Sequence, residues 1–262
     1  MNKVIIIGAG ILGASAAYQM SKLGAEVIII DRKDVGQATD AAAGIICPWL
    51  SQRRNKAWYR LAEAGASFYP AIIQELQEAG ETKTGYEKVG AICIHDDPKK
   101  LLAMKERAEL RREDAHEIGD LTMLTDLEAQ EKFPLLSEGY HALHVSGAAR
   151  VDGRELRDAL LRAAQRNGAQ MIEGNAILEH ADHEIKGVSV GEQTLTADFL
   201  PVLGRVQGWN KLIVANGLGS SGLTMGPFLG EQLAKLAMDQ QVDIPLEDYA
   251  LEHAINEENE HV

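Results

Sequence analysis

Read by its apolar and polar positions, the chain opens with a short apolar run, Lys3 to Ile7. An apolar-rich stretch from Ile11 to Leu23 follows and ends at Gly24, and a second apolar run covers Glu26 to Ile30. Strand, turn, helix and strand within about 30 residues make the βαβ unit of a parallel sheet. Further along, Trp58, Leu61, Gly65, Phe68, Ile72 and Leu76 step by three or four, which predicts one buried face of a helix over Asn55 to Ala79, stopped by Gly80. Alternation through Val89, Ala91 and Cys93 predicts a strand over Tyr86 to His95, and Lys99 to His116 reads as a charged amphipathic helix. TDLE from Thr125 and DGRE from Asp152 are capping boxes. The first opens a short helix before Phe133 and Pro134, and the second a helix to Asn167 with Gly168 as its stop. Ala169 to Glu173, Ala176 to His180, Glu184 to Val190 and Gln193 to Ala197 read as strands, the last two joined as a hairpin at Gly191 and Glu192. An apolar strand, Lys211 to Ala215, leads through a glycine-rich loop into a helix of roughly Leu223 to Met238. Repeats and low-complexity segments are absent, and the acidic tail IPLEDYALEHAINEENEHV is expected to fray and carries no assigned chemistry.

The turn between the first strand and helix is GAGILG, Gly8, Gly10 and Gly13 in G-x-G-x-x-G spacing with Ile11 and Leu12 between. Gly8 permits the tight turn, Gly10 lets a pyrophosphate reach the backbone, and Gly13 lets helix and strand pack closely. The phosphates then meet the positive N-terminus of the helix. Asp31 ends the second strand, close to the expected spacing for a carboxylate that binds ribose hydroxyls. The motif therefore predicts a dinucleotide without saying which. Arg32 beside Asp31 suits a 2′-phosphate, whereas the acid at the strand end disfavours one.

Charge narrows the partners. With 26 Lys plus Arg against 39 Asp plus Glu, the formal charge of −13 argues against a nucleic-acid or anionic-membrane binder. Arg53, Arg54 and Lys56 cluster, but read as a solvated loop. The two cysteines, Cys47 and Cys93, form no CxxC, so neither a disulfide scaffold nor a cysteine zinc site is expected; a reduced, cytoplasmic setting fits best. The apolar N-terminal run is broken by glycines and by Gln19, Ser21 and Lys22, so it reads as part of the fold rather than a targeting segment, and no unbroken run predicts a membrane span.

GQATDAAAGIICP, Gly36 to Pro48, resembles the second flavin-contacting stretch of the FAD-dependent D-amino-acid oxidase family, in its glycine-oxidase and sarcosine-oxidase branch. The resemblance implies FAD as cofactor, with Thr39 as the hydroxyl that meets the pyrophosphate and Ala42, Ala43, Gly44 and Ile45 as the small run passing beside the flavin ring. Gly147 to Gly174 resembles the family's "VD, helix, small-residue strand" segment. DFLPVLGRVQGWNKLIVANGLGSSGLTMGPFLGEQLAKL resembles its C-terminal FAD segment, which adds Gly217, Gly219, Ser220, Gly222 and Leu223 to the implied cofactor contacts, near the flavin pyrimidine oxygen. The implied fold is α/β. A Rossmann-like FAD-binding domain, a parallel sheet with helices plus a β-hairpin or meander, is made from residues 1–50 and 148–240. Residues 51–147 form a partial α+β substrate domain, and 241–262 an acidic tail.

The same resemblance implies a gap. In that family the strands before Asp198 lead into a buried strand and about half of the substrate domain, and only then into the counterpart of DFLPVLGR; here Asp198 is followed directly by Phe199. A splice at Asp198 would leave an unpaired sheet edge and apolar surface, open to a partner or a second copy in a homo-oligomer. It would also remove the arginine that holds the substrate carboxylate: Thr194, Leu195, Thr196 and Ala197 stand upstream, and Arg205 does not match the clamp but suits a surface or pyrophosphate-side place. The implied chemistry is hydride transfer from a small amino acid or amine to flavin N5, giving an imine, with no acid–base residue assigned. Cys47, Met225, Tyr86, Tyr140, His95, His141 and His144 could line the site, though packing explains each as well. Three functions stand side by side: an FAD-dependent amine or amino-acid oxidoreductase, an NAD(P)-linked Rossmann enzyme, and a catalytically impaired FAD-binding scaffold.

Overall fold

In the computed structural model, which describes residues 3–181, 184–190, 202–206 and 212–250, the first three elements are those the apolar pattern predicts. Strand β1 (Lys3–Ile7) and strand β2 (Glu26–Asp31) flank helix α1 (Ile11–Lys22). They pair in parallel from Lys3 opposite Glu26 to Ile7 opposite Ile30. Then come the short helix α2 (Ala38–Ala41), strand β3 (Ile45–Ile46) and the long helix α3 (Lys56–Glu78), where the Asn55 side chain accepts the Trp58 N–H at 2.9 Å. Strand β4 (Ala91–His95), helix α4 (Pro98–Arg112), strand β5 (Leu121–Leu124), helix α5 (Asp126–Lys132) and strand β6 (His141–Val145) follow. The TDLE capping box forms, with Thr125 and Glu128 satisfying each other's backbone N–H. Strand β7 (Ala149–Arg150) leads to helix α6 (Gly153–Arg166), capped by Asp152 through the N–H groups of Arg154 and Glu155. Strands β8 (Gln170–Glu173), β9 (Ala176–Ala181), β10 (Glu184–Val190), β11 (Val202–Arg205) and β12 (Ile213–Asn216) precede the final helix α7 (Gly222–Ala237).

β8 adds to β2 in parallel, so the nucleotide sheet runs β1-β2-β8. A separate antiparallel sheet runs β4-β6-β5, and β3–β7, β9–β10 and β11–β12 are two-stranded ribbons. The helices supply the common core. α1 lies between α6 and α7, and α3 lies against α7. Small residues permit this closeness: a Cβ added at Gly230 would stand 2.4 Å from Ser15 Cβ, and one at Gly65 would stand 2.1 Å from the Thr224 carbonyl oxygen.

Several boundaries differ from the expected ones. β4 begins at Ala91 rather than Tyr86, because Gly85 (φ +66°) and Gly90 (φ +74°) turn the chain; Glu87 is left with an isolated bridge to Arg150. α4 stops at Arg112, and His116 to Ile118 form a separate 3-10 turn ended by Gly119 at φ +68°. β10 takes β9 as its partner. The strand expected at 193–197, its turn at Gly191 and Glu192, and the seam at Asp198 lie outside the described residues. The tail begins docked rather than frayed: Ile244 and Tyr249 are buried, and the Tyr249 hydroxyl donates to the Ala57 carbonyl at 2.9 Å. Beyond Ala250 it lies outside the described residues.

β1 is an outer strand. Among the described residues nothing pairs with its free edge, and Ile5 and Ile7 are 40% and 50% exposed. β12 runs with β11 instead, although α7, which follows it, packs on α1. An apolar edge of this kind is unusual in a finished sheet.

One ion-pair cluster ties the segment just after α3 to α6. The Glu81 carboxylate, 7% exposed, accepts two N–H groups of Arg162 at 2.9 and 2.7 Å and one of Arg166 at 2.6 Å. Burial alone would push its pKa up, but the bonds and charges of both arginines outweigh that and hold it below the ordinary carboxylate value. A lowered folded pKa contributes stability above the unfolded value, and that contribution is lost as the pH falls through the folded one. Both arginines are about half exposed, so water screens the pair. Glu81→Ala should cost about 1–2 kcal/mol at neutral pH. In urea unfolding, the deficit should shrink steadily below the ordinary carboxylate range; a deficit that stays constant into acid would argue against the assignment.

Candidate functional site: a dinucleotide cleft

The cleft opens at the carboxyl ends of β1 and β2, where parallel sheets place their ligands. Gly8 leaves β1 at φ +101°, a conformation that suits glycine, and its N–H donates to Ile30 O at 2.8 Å. A Cβ on Gly13 would stand 1.9 Å from the Gly8 carbonyl oxygen, so this glycine is required by the helix–strand contact itself. Gly10 caps α1 without a side chain, and the first turn carries no acid. Apart from Ile11, whose N–H goes to Thr39, the first-turn N–H groups lack intrahelical partners and could receive an anion with no competing carboxylate in that turn.

Two side chains from elsewhere complete this end. Thr39, buried on α2, accepts the Ile11 N–H on its Oγ1 at 3.0 Å. That bond leaves the hydroxyl proton free to donate, and a Cβ at Gly10 would be only 3.4 Å from the same oxygen. Asp31 accepts the Ala9 N–H on Oδ2 at 2.7 Å, and the Lys33 N–H and Gln37 Nε2 on Oδ1 at 2.7 and 3.2 Å. Beside it a cavity of about 240 Å³ is lined by Ala9, Asp31, Gln37, Asp40 and Arg157 among others. Arg32 turns away to pair with Asp34 at 2.6 Å.

The second flavin-type stretch and the C-terminal loop converge next to this end. Gly44 is at φ +71°, its carbonyl accepts the Val151 N–H at 2.8 Å, and a Cβ there would meet the Val151 carbonyl oxygen at 2.0 Å. The segment is thus pinned, with Ala43 exposed and Ile45 65% exposed toward open space. The Thr224 hydroxyl donates to the Ile45 carbonyl at 3.5 Å. Gly153 packs where a Cβ would clash with both the Thr39 carbonyl oxygen (2.4 Å) and the Leu223 side chain (3.0 Å). Thr39, Ile45 and Leu223 are therefore neighbours. Gly217 (φ +79°) and Gly219 (φ +51°) shape the loop that leads through Ser220 and Gly222 into α7.

Other candidates fall into structural places. Arg205 donates to the Leu236 carbonyl at 2.8 Å and pairs with Asp239, closing the end of α7 on the surface. Burial, with the Cys93 thiol adding, pushes the Cys47 pKa up to about 12, so it stays a thiol at neutral pH. Tyr86 stacks on buried Tyr69 at 5.2 Å, and Met225 is fully buried. His95 accepts the Asp97 N–H, and burial pushes the His144 pKa down. Among the described residues no helix is long and apolar enough to cross a membrane. Sequence reasoning missed Gln37 and Arg157. Gln37 lies within Gly36 to Pro48, two residues before Thr39, but nothing local ties it to α6.

The family model described as DAO, FAD dependent oxidoreductase, matches residues 3–197. The chain belongs to this FAD-dependent oxidoreductase family. The uncharacterized oxidoreductase YurR of Bacillus subtilis is 38% identical, with 95% of this chain and 98% of that protein covered. The alignment runs over 365 positions although the chain has 262 residues, so a long stretch of YurR has no counterpart here. The DAO match ends one residue before Asp198. Glycine oxidase of Pseudomonas putida is 26% identical over 62% of this chain and 43% of its own length. Among solved structures, iminodiacetate oxidase from Chelativorans superposes with a TM-score of 0.86 at 30% identity, covering 94% of this chain and 98% of that one. The glycine-oxidase-like branch and the Rossmann-type fold are thereby shown, and FAD is the family's cofactor. The residues fit it: an acid-free helix start, a hydroxyl beside the glycine loop and a carboxylate at the strand end are the donors and acceptors a dinucleotide needs.

Proposed function

We propose that the chain binds FAD in this cleft and oxidises a small amino acid or amine. The observation that carries the reading is the Thr39 bond to Ile11, which brings the second flavin-type stretch back onto the glycine-loop helix. In this reading the backbone N–H groups of Gly10, Leu12 and Gly13 meet the pyrophosphate, Gly8 and Ile11 hold the turn through their bonds to Ile30 and Thr39, Thr39 donates its hydroxyl to the pyrophosphate, and Asp31 accepts from the adenosine ribose. Ala42 to Ile45 and the Gly217–Leu223 loop form the two walls for the ring, and the α7 N-terminus favours negative charge on its far edge. Bound FAD supplies the acceptor for a two-electron oxidation of a C–N bond to an imine. The protein's part is to position the ring and keep water from it, and no side chain is assigned a proton transfer. We further propose that residues 1–50 and 148–240 form the FAD domain and 51–147 part of a substrate domain, and that the protein works in the cytoplasm, which its two free thiols suit.

A second reading, FAD binding with impaired turnover, is favoured by the β1 edge that no described residue pairs with and by Arg205 lying at the end of α7 instead of in a substrate clamp. The visible spectrum of the purified, unsupplemented protein separates the cases. Flavin bands near one FAD per chain, bleached anaerobically by glycine, sarcosine or iminodiacetate, are expected for the enzyme. Bands that no amine bleaches would identify the impaired form. A colourless protein that takes up no added FAD would overturn both readings.

A further inference from the structure

A chain of hydrogen bonds runs from helix α6 into the nucleotide cleft. Arg157, whose side chain is 15% exposed, donates from one terminal nitrogen to Gln37 Oε1 at 3.2 Å and pairs with Asp40 through the same nitrogen; its Nε donates to Asp158 at 2.9 Å. Gln37 in turn donates from Nε2 to Asp31 Oδ1 at 3.2 Å. An amide side chain can be turned either way by its partners. Here the arginine, which can only donate, requires the carbonyl end of Gln37 and so directs the NH₂ end at Asp31.

The consequence is a count of acceptor positions. A carboxylate offers about four lone-pair sites, two on each oxygen. Oδ1 is filled by the Lys33 N–H and by Gln37, and Oδ2 takes the Ala9 N–H. One acceptor position remains, on Oδ2. We propose that Arg157 and Gln37 are positioning residues. They saturate Oδ1 and lock the plane of the Asp31 carboxylate, so that Oδ2 alone receives one ribose hydroxyl of the adenosine half of the cofactor. This rests on the proposed FAD site and adds to it two residues, one of them from a helix far along the chain. The relay also places a second cation, besides Lys33, in a cleft lined by Asp31, Asp34, Asp40 and Asp158.

Gln37→Glu separates this role from mere stapling of α2 to α6. The introduced carboxylate would keep, and strengthen, the pairing to Arg157, but it cannot donate to Asp31 and sets a like charge beside it. FAD affinity, read by quenching of flavin fluorescence on titration into apoprotein, should fall about tenfold to a hundredfold, since a lost hydrogen bond to a charged group is involved. The melting temperature of the apoprotein should stay level or rise. Measured against wild type at the same pH, the affinity loss should shrink as the pH falls, because a proton shared between the two carboxylates removes the like charge and restores a donor. Gln37→Leu, which removes both bonds without adding charge, should weaken FAD binding at every pH. Asp31→Ala is the control for the site itself. If Asp31→Ala weakens FAD binding while both Gln37 variants bind like wild type, the relay is overturned and the site stands. If Asp31→Ala also binds like wild type, the site assignment fails first.

Discussion

Replacing Gly10 with valine is expected to cut FAD affinity by about a hundredfold or more while leaving the apoprotein folded. The added Cβ itself meets only Thr39 Oγ1, at 3.4 Å, a contact that can give by a fraction of an ångström. The two methyl groups beyond it must occupy the space over the first turn of α1, where the backbone N–H groups would meet a pyrophosphate. Gly10→Ala, which adds the Cβ alone, should therefore retain much of the binding. Gly13→Ala is a different experiment: its Cβ would overlap the Gly8 carbonyl at 1.9 Å, so it should disturb the fold itself. Circular dichroism of each apoprotein, followed by titration with FAD, distinguishes them. A Gly10→Val protein that binds FAD as tightly as wild type would remove the glycine loop from the site.

The second large effect is expected from lengthening the chain. Inserting between Asp198 and Phe199 the stretch that the B. subtilis relative has and this chain lacks should give β1 a neighbour on its free edge. Fully burying an isoleucine is worth roughly 1.5–3 kcal/mol, and Ile5 and Ile7 are each about half exposed, so their burial alone should add about 1.5–3 kcal/mol. β1 amides should exchange hydrogen at least tenfold more slowly, and bleaching by a small amine should appear or strengthen if the inserted segment carries the carboxylate clamp. Unchanged β1 exchange in a folded insertion protein would show that the free edge is not where the segment belongs. The same measurement on the present chain at rising concentration tests whether a second copy covers the edge: concentration-dependent protection would identify a homo-oligomer.

The two ends of the site were legible to different degrees. The Gly8–Gly13 turn, α1, β2 and Asp31 follow from spacing, because each step depends on neighbours within a few residues. Thr39 and the Gly217–Leu223 loop were named only through resemblance; nothing in their own spacing says that Oγ1 of Thr39 would cap Ile11 or that Leu223 would lie against Gly153. Gln37 and Arg157 escaped notice because their meeting depends on how α6 docks beside α2. Arg205 shows the converse: its sequence position left a pyrophosphate-side role open, and packing placed it at the end of α7.

Periodicity and local chemistry determined β1, α1, β2 and the long α3, the caps at Thr125 and Asp152, the glycine stops at Gly24, Gly80 and Gly168, and the dinucleotide motif, whereas the short elements α2, β3, β5, β7 and β11 carry too little pattern to be read. The former are decided by backbone torsions and by bonds a few residues long, so a linear reading reaches them. Only the tertiary structure decided that β8 extends the β1–β2 sheet, that β10 pairs with β9, that Gly85 and Gly90 shorten β4, and that Glu81 is clamped by two arginines of α6. It also decided that, among the described residues, nothing pairs with the free edge of β1, where Ile5 and Ile7 are partly exposed. Strand partners, close helix packing and long-range hydrogen bonds depend on which surfaces meet when the core closes, and no local torsion or spacing encodes that choice.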